Sequence, residues 1–346
     1  MKLGLLLRYA GEAGGPRMEV VLEAERLGYT SVWTSEAYGT DAVSPAAWVL
    51  ARTTRIKVGT GIMQIPARTP ACAAMTAASL QAMSNDRFLL GIGPSGPQVV
   101  EGWHGVPYGK PLTRTKEYIE IVRKVFAREA PLQHQGEHYQ IPYTGPGATG
   151  LGKPLKSIVH LNPDLKIYTA AISPPGLRTA GEVADGVLPF LMSPERTGVI
   201  TEPVLEGRLA AGKGKALDDF DIAPYVGIAM GQDVRACRDS MKPHLALYIG
   251  GMGARGKNFY NDYCRRLGYE AAAAKIQDAY LAGRRDEAIA AVPDSLIDET
   301  ALIGPPERIK DRLQAWKEGA RDGSIGTLLL GNASIDALRV VAEAVL

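Results

Sequence analysis

Three glycines follow an apolar run in the segment FLLGIGPSGPQ, residues 88–98. Gly91, Gly93 and Gly96 have the G-x-G-x-x-G spacing with which a strand-to-helix turn approaches the pyrophosphate of a dinucleotide. In that fold the motif follows the first strand and opens a helix, whereas here it follows the fourth strand-like segment. Pro97 comes directly after the third glycine.

We therefore expect no helix after this motif before Thr113. The acidic residues at the distance of a ribose ligand, Glu117 and Glu120, fall on a helical pattern rather than at a strand end. A dinucleotide site is disfavoured. The glycines are better explained as places where backbone lies close to a flat ligand at the mouth of a barrel.

Two other strand ends carry polar or flexible residues. The segment VGTGIMQIPARTP places Thr60, Gly61 and Ile62 at the carboxyl end of the third strand, and Glu36 falls just past the second strand. Taken singly, these features also fit a simple bulge and a solvated carboxylate.

A third strand end, AAISPPGLRTAGEVADG (residues 170–186), places Gly176, Leu177 and Arg178 at a predicted helix N-terminus. Exposed amides there, with an arginine, suit a phosphate group, although an ordinary turn between a strand and a helix fits as well. The carboxyl ends of parallel strands meet at one edge, so we expect all these residues at one face of the molecule.

Strand-like and helix-like segments alternate along the chain. Eight strand-like segments, from LGLLL near the N-terminus to GTLLLG at residues 326–331, are separated by helical patterns. We expect a single domain over residues 1–346, a (β/α)8 TIM barrel with insertions around 127–165 and 232–300. The second insertion is expected to be helical.

Composition excludes several classes of function. The 346 residues are 46% hydrophobic and carry a formal net charge of +2, so no charge pattern indicates nucleic acid as a partner. No apolar run is long enough for a membrane span, and the N-terminal segment lacks the cleavage pattern of a signal peptide. Three widely spaced cysteines favour buried, reduced thiols and a cytoplasmic location, and five histidines without ligand spacing indicate no metal site.

The run from Val58 to Gly105, VGTGIMQIPARTPACAAMTAASLQAMSNDRFLLGIGPSGPQVVEGWHG, resembles the luciferase-like monooxygenase superfamily. Its GPSGPQVVEGWHG segment is similar to the branch that uses coenzyme F420, an 8-hydroxy-5-deazaflavin. Weaker similarity extends from residue 3 to the end of the chain. The resemblance implies a luciferase-like barrel and an oxidoreductase that moves a hydride between C5 of the deazaflavin and a small organic substrate.

The resemblance also assigns residues to the cofactor. It implies a non-prolyl cis peptide at Gly61–Ile62 behind the ring, the loop from Gly93 to Gly96 beside the ring, and Gly176–Arg178 at the phosphate. The residues expected to bind the cofactor are Glu36, Thr60, Gly61, Ile62, Gly93, Pro94, Ser95, Gly96, Ala171, Gly176, Leu177 and Arg178.

Catalytic residues are harder to assign, because this chain has Glu36-Ala37 where many deazaflavin enzymes carry Asp-His after the second strand. Glu36 is expected to transfer a proton or orient the ring, and Tyr9, after strand one, is a second catalytic candidate. His104, in EGWHG, is expected to be structural. The missing histidine disfavours oxidation of an alcohol or a sugar phosphate.

Two alternatives remain open on the sequence: an FMN-dependent luciferase-like monooxygenase, and a non-catalytic flavin-binding protein. The resemblance suggests a homodimer, and an apolar strip around Pro45–Ala51 together with the third helix is a candidate contact. The insertion at 232–300, rich in tyrosine, is expected either to close over the mouth or to lengthen the dimer contact.

Overall fold

The computed structural model describes residues 1–7, 15–214 and 216–346. Within these ranges the strands are β1 (Lys2–Leu6), β2 (Ser31–Thr34), β3 (Lys57–Thr60), β4 (Met63–Gln64), β5 (Phe88–Gly93), β6 (His134–Gln135), β7 (Gln140–Ile141), β8 (Ile167–Thr169), β9 (Gly186–Val187), β10 (Asp221–Ile222), β11 (Tyr225–Met230), β12 (Ala301–Gly304) and β13 (Thr327–Gly331). The α-helices are α1 (Met18–Leu27), α2 (Val43–Arg52), α3 (Pro70–Ser84), α4 (Pro97–Gly102), α5 (Pro111–Ala127), α6 (Pro174–Val183), α7 (Gly198–Ala210), α8 (Val234–Ala246), α9 (Phe259–Arg266), α10 (Glu270–Leu281), α11 (Arg285–Ala290), α12 (Asp294–Thr300), α13 (Pro306–Arg321) and α14 (Ile335–Val345).

Parallel pairing closes the main sheet into a barrel. The strands neighbour one another in the order β10-β9-β8-β5-β3-β2-β1-β13-β11. The segment 221–230 closes the ring, because β10 pairs with β9 while β11 pairs with β13. Pro224, which cannot donate a ladder hydrogen bond, separates these two strands. The predicted (β/α)8 TIM barrel is confirmed.

Large side chains fill the inside of the barrel. Trp33 of β2 contacts Tyr168 of β8 edge to face, with ring centroids 4.9 Å apart, and both are buried. Leu89, Ala223 and Leu329 complete this inner cluster. Side chains alternate along a strand, so the residues two positions further on face the same way, one layer nearer the carboxyl ends. The barrel is thus packed below its mouth, and the mouth lies above this layer.

Local sequence determines where the helices begin and end. In α3, the Thr69 side chain accepts a hydrogen bond from the Cys72 amide, Pro70 occupies the first turn, and Asn85 ends the helix in a left-handed conformation. This helix contains no charged residue, although one of its faces is exposed. No described helix meets the length and apolarity needed to cross a membrane.

Some element predictions were wrong. A helix begins at Pro97, directly after the third glycine, because proline is favoured in a first helical turn. The helix predicted near Leu177 is present, and its first turn begins at Pro174 for the same reason. The short strands β4 and β12 were not predicted; β4 pairs with β5 and β12 pairs with β11. Cys72 is exposed, whereas all three cysteines were expected to be buried.

The two long excursions differ in structure. Residues 127–165 contain the antiparallel pair β6 and β7. Residues 232–300 are helical, as predicted, and include α8 to α12 with a π-helical turn at Leu247–Gly251. This second excursion returns to the barrel through β12, which lies beside the outer half of β11.

Candidate functional site

The first glycine of the motif is required by contact between neighbouring strands. A Cβ built on Gly91 would lie 1.8 Å from the carbonyl oxygen of Thr60. The Thr60 side chain donates to the Gly91 carbonyl oxygen (2.7 Å) and accepts from the Gly91 amide (3.0 Å). Thr60 is fully buried. This pair therefore fixes the end of β3 against β5.

A bulge follows Thr60 at the carboxyl end of β3. The peptide bond between Gly61 and Ile62 is cis, and the Gly61 amide donates to the Thr34 carbonyl at the end of β2. A Cβ on Gly93 would lie 2.9 Å from Ile62 Cδ1 and 3.5 Å from the Cβ of Ala170. Ile62, Gly93 and Ala170 thus form a continuous surface across three adjacent strand ends. We call these three residues the floor.

Glu36 anchors this bulge. Its Oε1 accepts from the Gln64 amide at 2.7 Å and from Arg68 Nη1 at 2.8 Å, and its Oε2 accepts from the Ala42 amide at 2.8 Å. The Glu36 side chain is only 6% exposed. Of the two roles expected for this carboxylate, the geometry favours orientation over proton transfer, because both oxygens already accept hydrogen bonds.

Gln64, which was missed from the sequence, joins the predicted residues Ser95 and His104 in a second hydrogen-bonded group at the mouth. The buried Gln64 donates through Nε2 to Ser95 Oγ (3.1 Å), and its Oε1 lies 2.6 Å from His104 Nε2. Ser95 is held at φ 62°, a left-handed conformation that is uncommon for serine. His104 therefore fixes the amide of Gln64, and Gln64 fixes the Ser95 hydroxyl, which can still donate its own proton. The only sequence signal was a glutamine inside an apolar run.

The start of α6 offers fewer free amides than predicted. Pro174 and Pro175 have no N–H, the Gly176 amide donates to Ser173 Oγ at 3.3 Å, and the Leu177 amide donates to the Ser173 carbonyl at 2.8 Å. The Leu177 side chain lies in the core. Gly176 nevertheless lies close to the predicted residue Ala171, which directly follows Ala170 of the floor: a Cβ on Gly176 would lie 3.2 Å from the Cβ of Ala171.

The cation expected at this helix is also engaged elsewhere. Arg178 Nη1 lies 3.0 Å from Glu206 Oε2 on α7, on the outside of the barrel. A different arginine, Arg266 of α9, donates to the carbonyl oxygen of Ile172, the residue before Ser173. Burial lowers the pKa of Arg266 from its ordinary value, and no carboxylate ion-pairs with it within the described ranges. Arg266 was missed from the sequence, because 94 positions separate it from Ile172.

Most of the predicted site residues therefore meet along one edge, from Glu36 through the bulge and the floor to Gly176. Pro94 and Gly96 flank Ser95, and Gly96 is the N-cap of α4. Tyr9 lies outside the described residues. Among those that are described, no group of three potential metal ligands is present.

A large cavity lies elsewhere. It has a volume of about 860 Å³ and is lined by the last turns of α5 and α6, including Arg123, Lys124 and Glu182, and by Lys213. Helices of a barrel run back towards the amino ends of the strands, so these last turns lie at the end opposite the mouth. This cavity is separate from the floor.

The architecture defines a class: a parallel α/β barrel with an apolar surface, the floor, at the carboxyl ends of its third to fifth ring strands. Comparisons with known proteins specify the class. A family model described as luciferase-like monooxygenase matches residues 5–323. The chain belongs to this family.

Similar proteins span nearly the whole chain. A Mycobacterium tuberculosis protein, provisionally named a coenzyme F420-dependent oxidoreductase, is 43% identical over 320 residues, 92% of each chain. The 5,10-methylenetetrahydromethanopterin reductase of Methanolobus tindarius is 29% identical over 84% of this chain and 83% of its own length. The solved coenzyme F420-dependent tetrahydromethanopterin reductase from Methanopyrus kandleri shares the fold with a TM-score of 0.79, at 22% identity, over 99% of this chain and 98% of that one.

Proposed function

We propose that this protein is a coenzyme F420-dependent oxidoreductase that transfers a hydride between C5 of the deazaflavin and a small organic substrate. The observation that carries the proposal is the 43% identity, over 92% of both chains, to the mycobacterial protein named for this coenzyme. The floor supports it independently, because a flat apolar surface suits one face of a planar ring.

The residues present fit the ring end of the coenzyme. At Gly61, Ile62 and Gly93, the Ile62 side chain is the one that projects into the site, because glycine has no side chain. A Cβ at Gly93 would already lie 2.9 Å from Ile62 Cδ1. When bound, the coenzyme supplies a carbon-centred hydride donor or acceptor. The protein positions that carbon: Glu36 and Arg68 hold the bulge, and the Gln64 amide holds the Ser95 hydroxyl. Ser95 is then available to donate a hydrogen bond at the edge of the ring.

At the phosphate end, Ser173 and Arg266 are the better-placed donors. The Ser173 hydroxyl lies at the start of α6, and Arg266 binds the carbonyl of the preceding residue. An arginine binds phosphate oxygens through charge-assisted hydrogen bonds. Arg178 would have to leave Glu206 to do the same.

Cofactor titration tests the proposal. We expect the purified protein to quench or shift the fluorescence of coenzyme F420 with micromolar or tighter affinity, and to bind FMN more weakly. Gly93→Val should weaken F420 binding at least tenfold, because its side chain would meet Ile62 and the floor. Gly102→Val is the matched control, since a Cβ there meets no atom within 4 Å. Tighter binding of FMN than of F420 would refute the proposal and support the flavin monooxygenase alternative.

We also propose that the protein forms a homodimer through α2 and α3. Their outer faces expose Trp48 (51%), Met75 (68%) and Met83 (72%). A helix without charged residues is unusual on a solvent-facing surface, and such apolar patches mark protein contacts. The second copy is the proposed partner because the family resemblance implies a homodimer.

Sedimentation of the wild type and of a charged variant tests the dimer. Met75→Glu combined with Met83→Glu is expected to yield monomers with unchanged circular dichroism. Leu209→Glu, at a 52% exposed leucine on α7, is the control and should leave the dimer intact. A monomeric wild type, or a double variant that still dimerises, would contradict this assembly.

A further inference from the structure

Five rings form a continuous surface beside the mouth. Phe190, which follows β9, stacks on Tyr225 of β11 with centroids 5.5 Å apart and planes inclined by 21°. Tyr248 lies 4.8 Å from Phe190, Tyr260 lies 4.7 Å from Tyr248, and His244 lies 4.6 Å from Tyr248. We call these five residues the aromatic wall. Phe190 follows the end of β9, Tyr225 is the first residue of β11, and the other three members belong to the helical insertion.

Strand alternation places the wall at the mouth. Leu188 and Ala223 pack on the inner cluster of the barrel, so Phe190 and Tyr225, two residues further on, face inwards one layer higher. The Tyr225 ring also covers the end of β13, because a Cβ on Gly331 would lie 1.9 Å from it. The wall is therefore the top layer of the barrel on this side.

The position of the wall around the ring is opposite to the bulge. Counting from β1, the bulge follows the third strand of the barrel, and Tyr225 belongs to the seventh of eight. A planar ring lying on the floor would present its other face towards the centre of the mouth. A hydride acceptor would then lie between that face and the aromatic wall.

Hydrogen bonds hold the wall in place. Tyr248 lies in the π-helical turn, a feature that often marks functional sites. The buried Asn258 side chain donates to the carbonyl oxygens of Tyr248 (3.1 Å) and Ile249 (3.0 Å), and Asn261 Nδ2 donates to the latter at 3.1 Å. These bonds order the turn before any ligand binds, which lowers the entropic cost of stacking on it.

We propose that the aromatic wall binds the substrate, and that the substrate is an uncharged, planar, conjugated carbonyl compound. This inference rests on the proposed function. Stacked and edge-on rings recognise flat unsaturated molecules, whereas a phosphate or a polyol requires several cationic or amide donors. None of the five side chains of the wall is a carboxylate, so the wall offers no ion pair to a cationic substrate. In the reaction, a hydride from the reduced deazaflavin would form a C–H bond at one carbon of the conjugated C=C bond. The π electrons of that bond would then take up a proton from water at the other carbon, and the deazaflavin would be oxidised by two electrons.

Binding of a model enone to the protein loaded with oxidised coenzyme tests the wall without turnover. The probe is benzylideneacetone, measured by calorimetry against saturated 4-phenyl-2-butanone, cinnamate and N-methylquinolinium. We expect benzylideneacetone to bind more tightly than the other three. Phe190→Leu and Tyr248→Leu should each weaken its binding about three- to tenfold, the size expected from losing one aromatic pair. Tyr143→Leu, at a 56% exposed tyrosine of the first excursion, should have no effect.

The outcomes separate the inference from the proposed function. Unchanged enone affinity in both leucine variants would overturn the wall, as would preferred binding of the anion or the cation. Loss of F420 affinity in both leucine variants would overturn it too, because the wall would then belong to the cofactor site. If the wild type failed to bind F420 while Phe190→Leu still weakened enone binding, the proposed coenzyme would be refuted and substrate binding at the aromatic wall would be supported.

Discussion

Replacing Gly91 by alanine is expected to destabilise the barrel far more than the same replacement at Gly96, although both belong to one glycine motif. A Cβ at Gly91 would lie 1.8 Å from the Thr60 carbonyl oxygen, which belongs to backbone and cannot rotate away. A Cβ at Gly96 meets Gln98 Oε1 at 3.3 Å, the far end of a flexible side chain. The two substitutions add the same methyl group in very different surroundings.

The contacts determine the magnitudes. Overpacking of this kind costs about 1–3 kcal/mol. Separation of β3 from β5 would also weaken the two hydrogen bonds between Thr60 and Gly91, each contributing about 1 kcal/mol. The free energy of unfolding should therefore fall by about 3 kcal/mol or more for Gly91→Ala. Gly96→Ala should cost less than about 1 kcal/mol, since it changes only an N-cap preference. Gly93→Ala should fall between them, because Ile62 Cδ1, at 2.9 Å, can move.

Urea unfolding followed by circular dichroism measures these differences, with midpoints compared at a common slope. The expected order of destabilisation is Gly91, then Gly93, then Gly96. A dinucleotide-type motif predicts a different order, because there the third glycine allows close packing of helix on strand. If Gly96→Ala were as damaging as Gly91→Ala, the strand-contact explanation of these glycines would be refuted.

Three further predictions concern charged groups. Glu36→Gln should lower both F420 affinity and the free energy of unfolding, the latter by about 2 kcal/mol, because an amide cannot accept all the hydrogen bonds of the carboxylate. F420 titration and urea unfolding measure the two effects. Unchanged F420 affinity would contradict the positioning role of Glu36. Burial raises the pKa of Glu117, but hydrogen bonds from the backbone N–H groups of residues 137–139 outweigh this and hold the pKa below 4.5. Glu117 thus stabilises the fold above about pH 4.5 and loses this effect as the pH falls through its lowered pKa. The melting temperature of Glu117→Gln should therefore change less between pH 6 and pH 3 than that of the wild type. The same pH dependence in both proteins would contradict this prediction. Arg266→Gln should weaken F420 binding about tenfold or more and reduce the salt dependence of that binding, whereas Arg178→Gln should change F420 affinity little. A larger loss of affinity in Arg178→Gln than in Arg266→Gln would indicate that Arg178 binds the phosphate.

The sequence predicted the barrel well because its signal is local. Apolar strands of four to six residues, such as β2 and β5, are bounded by turn residues and separated by amphipathic helices. Helix starts were less well predicted. Proline was treated as a break at Pro97, where it occupies a first helical turn, and the helix predicted near Leu177 begins three residues earlier, at Pro174. Strand β12 was missed because it directly follows a helix and pairs only with the outer half of β11.

Only the part of the candidate site that lies at strand ends could be predicted from the sequence. The carboxyl ends of parallel strands share one edge, which is why Glu36, Gly61 and Gly93 can be grouped from the sequence. The partners of these residues depend on distant pairings: Arg68 lies 32 positions from Glu36, and Arg266 lies 94 from Ile172. A carboxylate near a strand end indicates a site, but its hydrogen-bond partners determine whether it reacts or supports.

The helical insertion begins and ends at the same place. The Gly231 amide, just after β11, donates to the Gly304 carbonyl at the end of β12, with 3.1 Å between nitrogen and oxygen. Segments whose ends are adjacent in space can be exchanged with little effect on the scaffold that carries them. Residues 232–303 therefore form a replaceable cassette that carries Tyr248 and Tyr260 together with Arg266, while the floor belongs to the rest of the barrel. Chimeras that exchange this cassette between relatives should change which compounds are reduced and keep the floor, provided that the arginine at position 266 is retained.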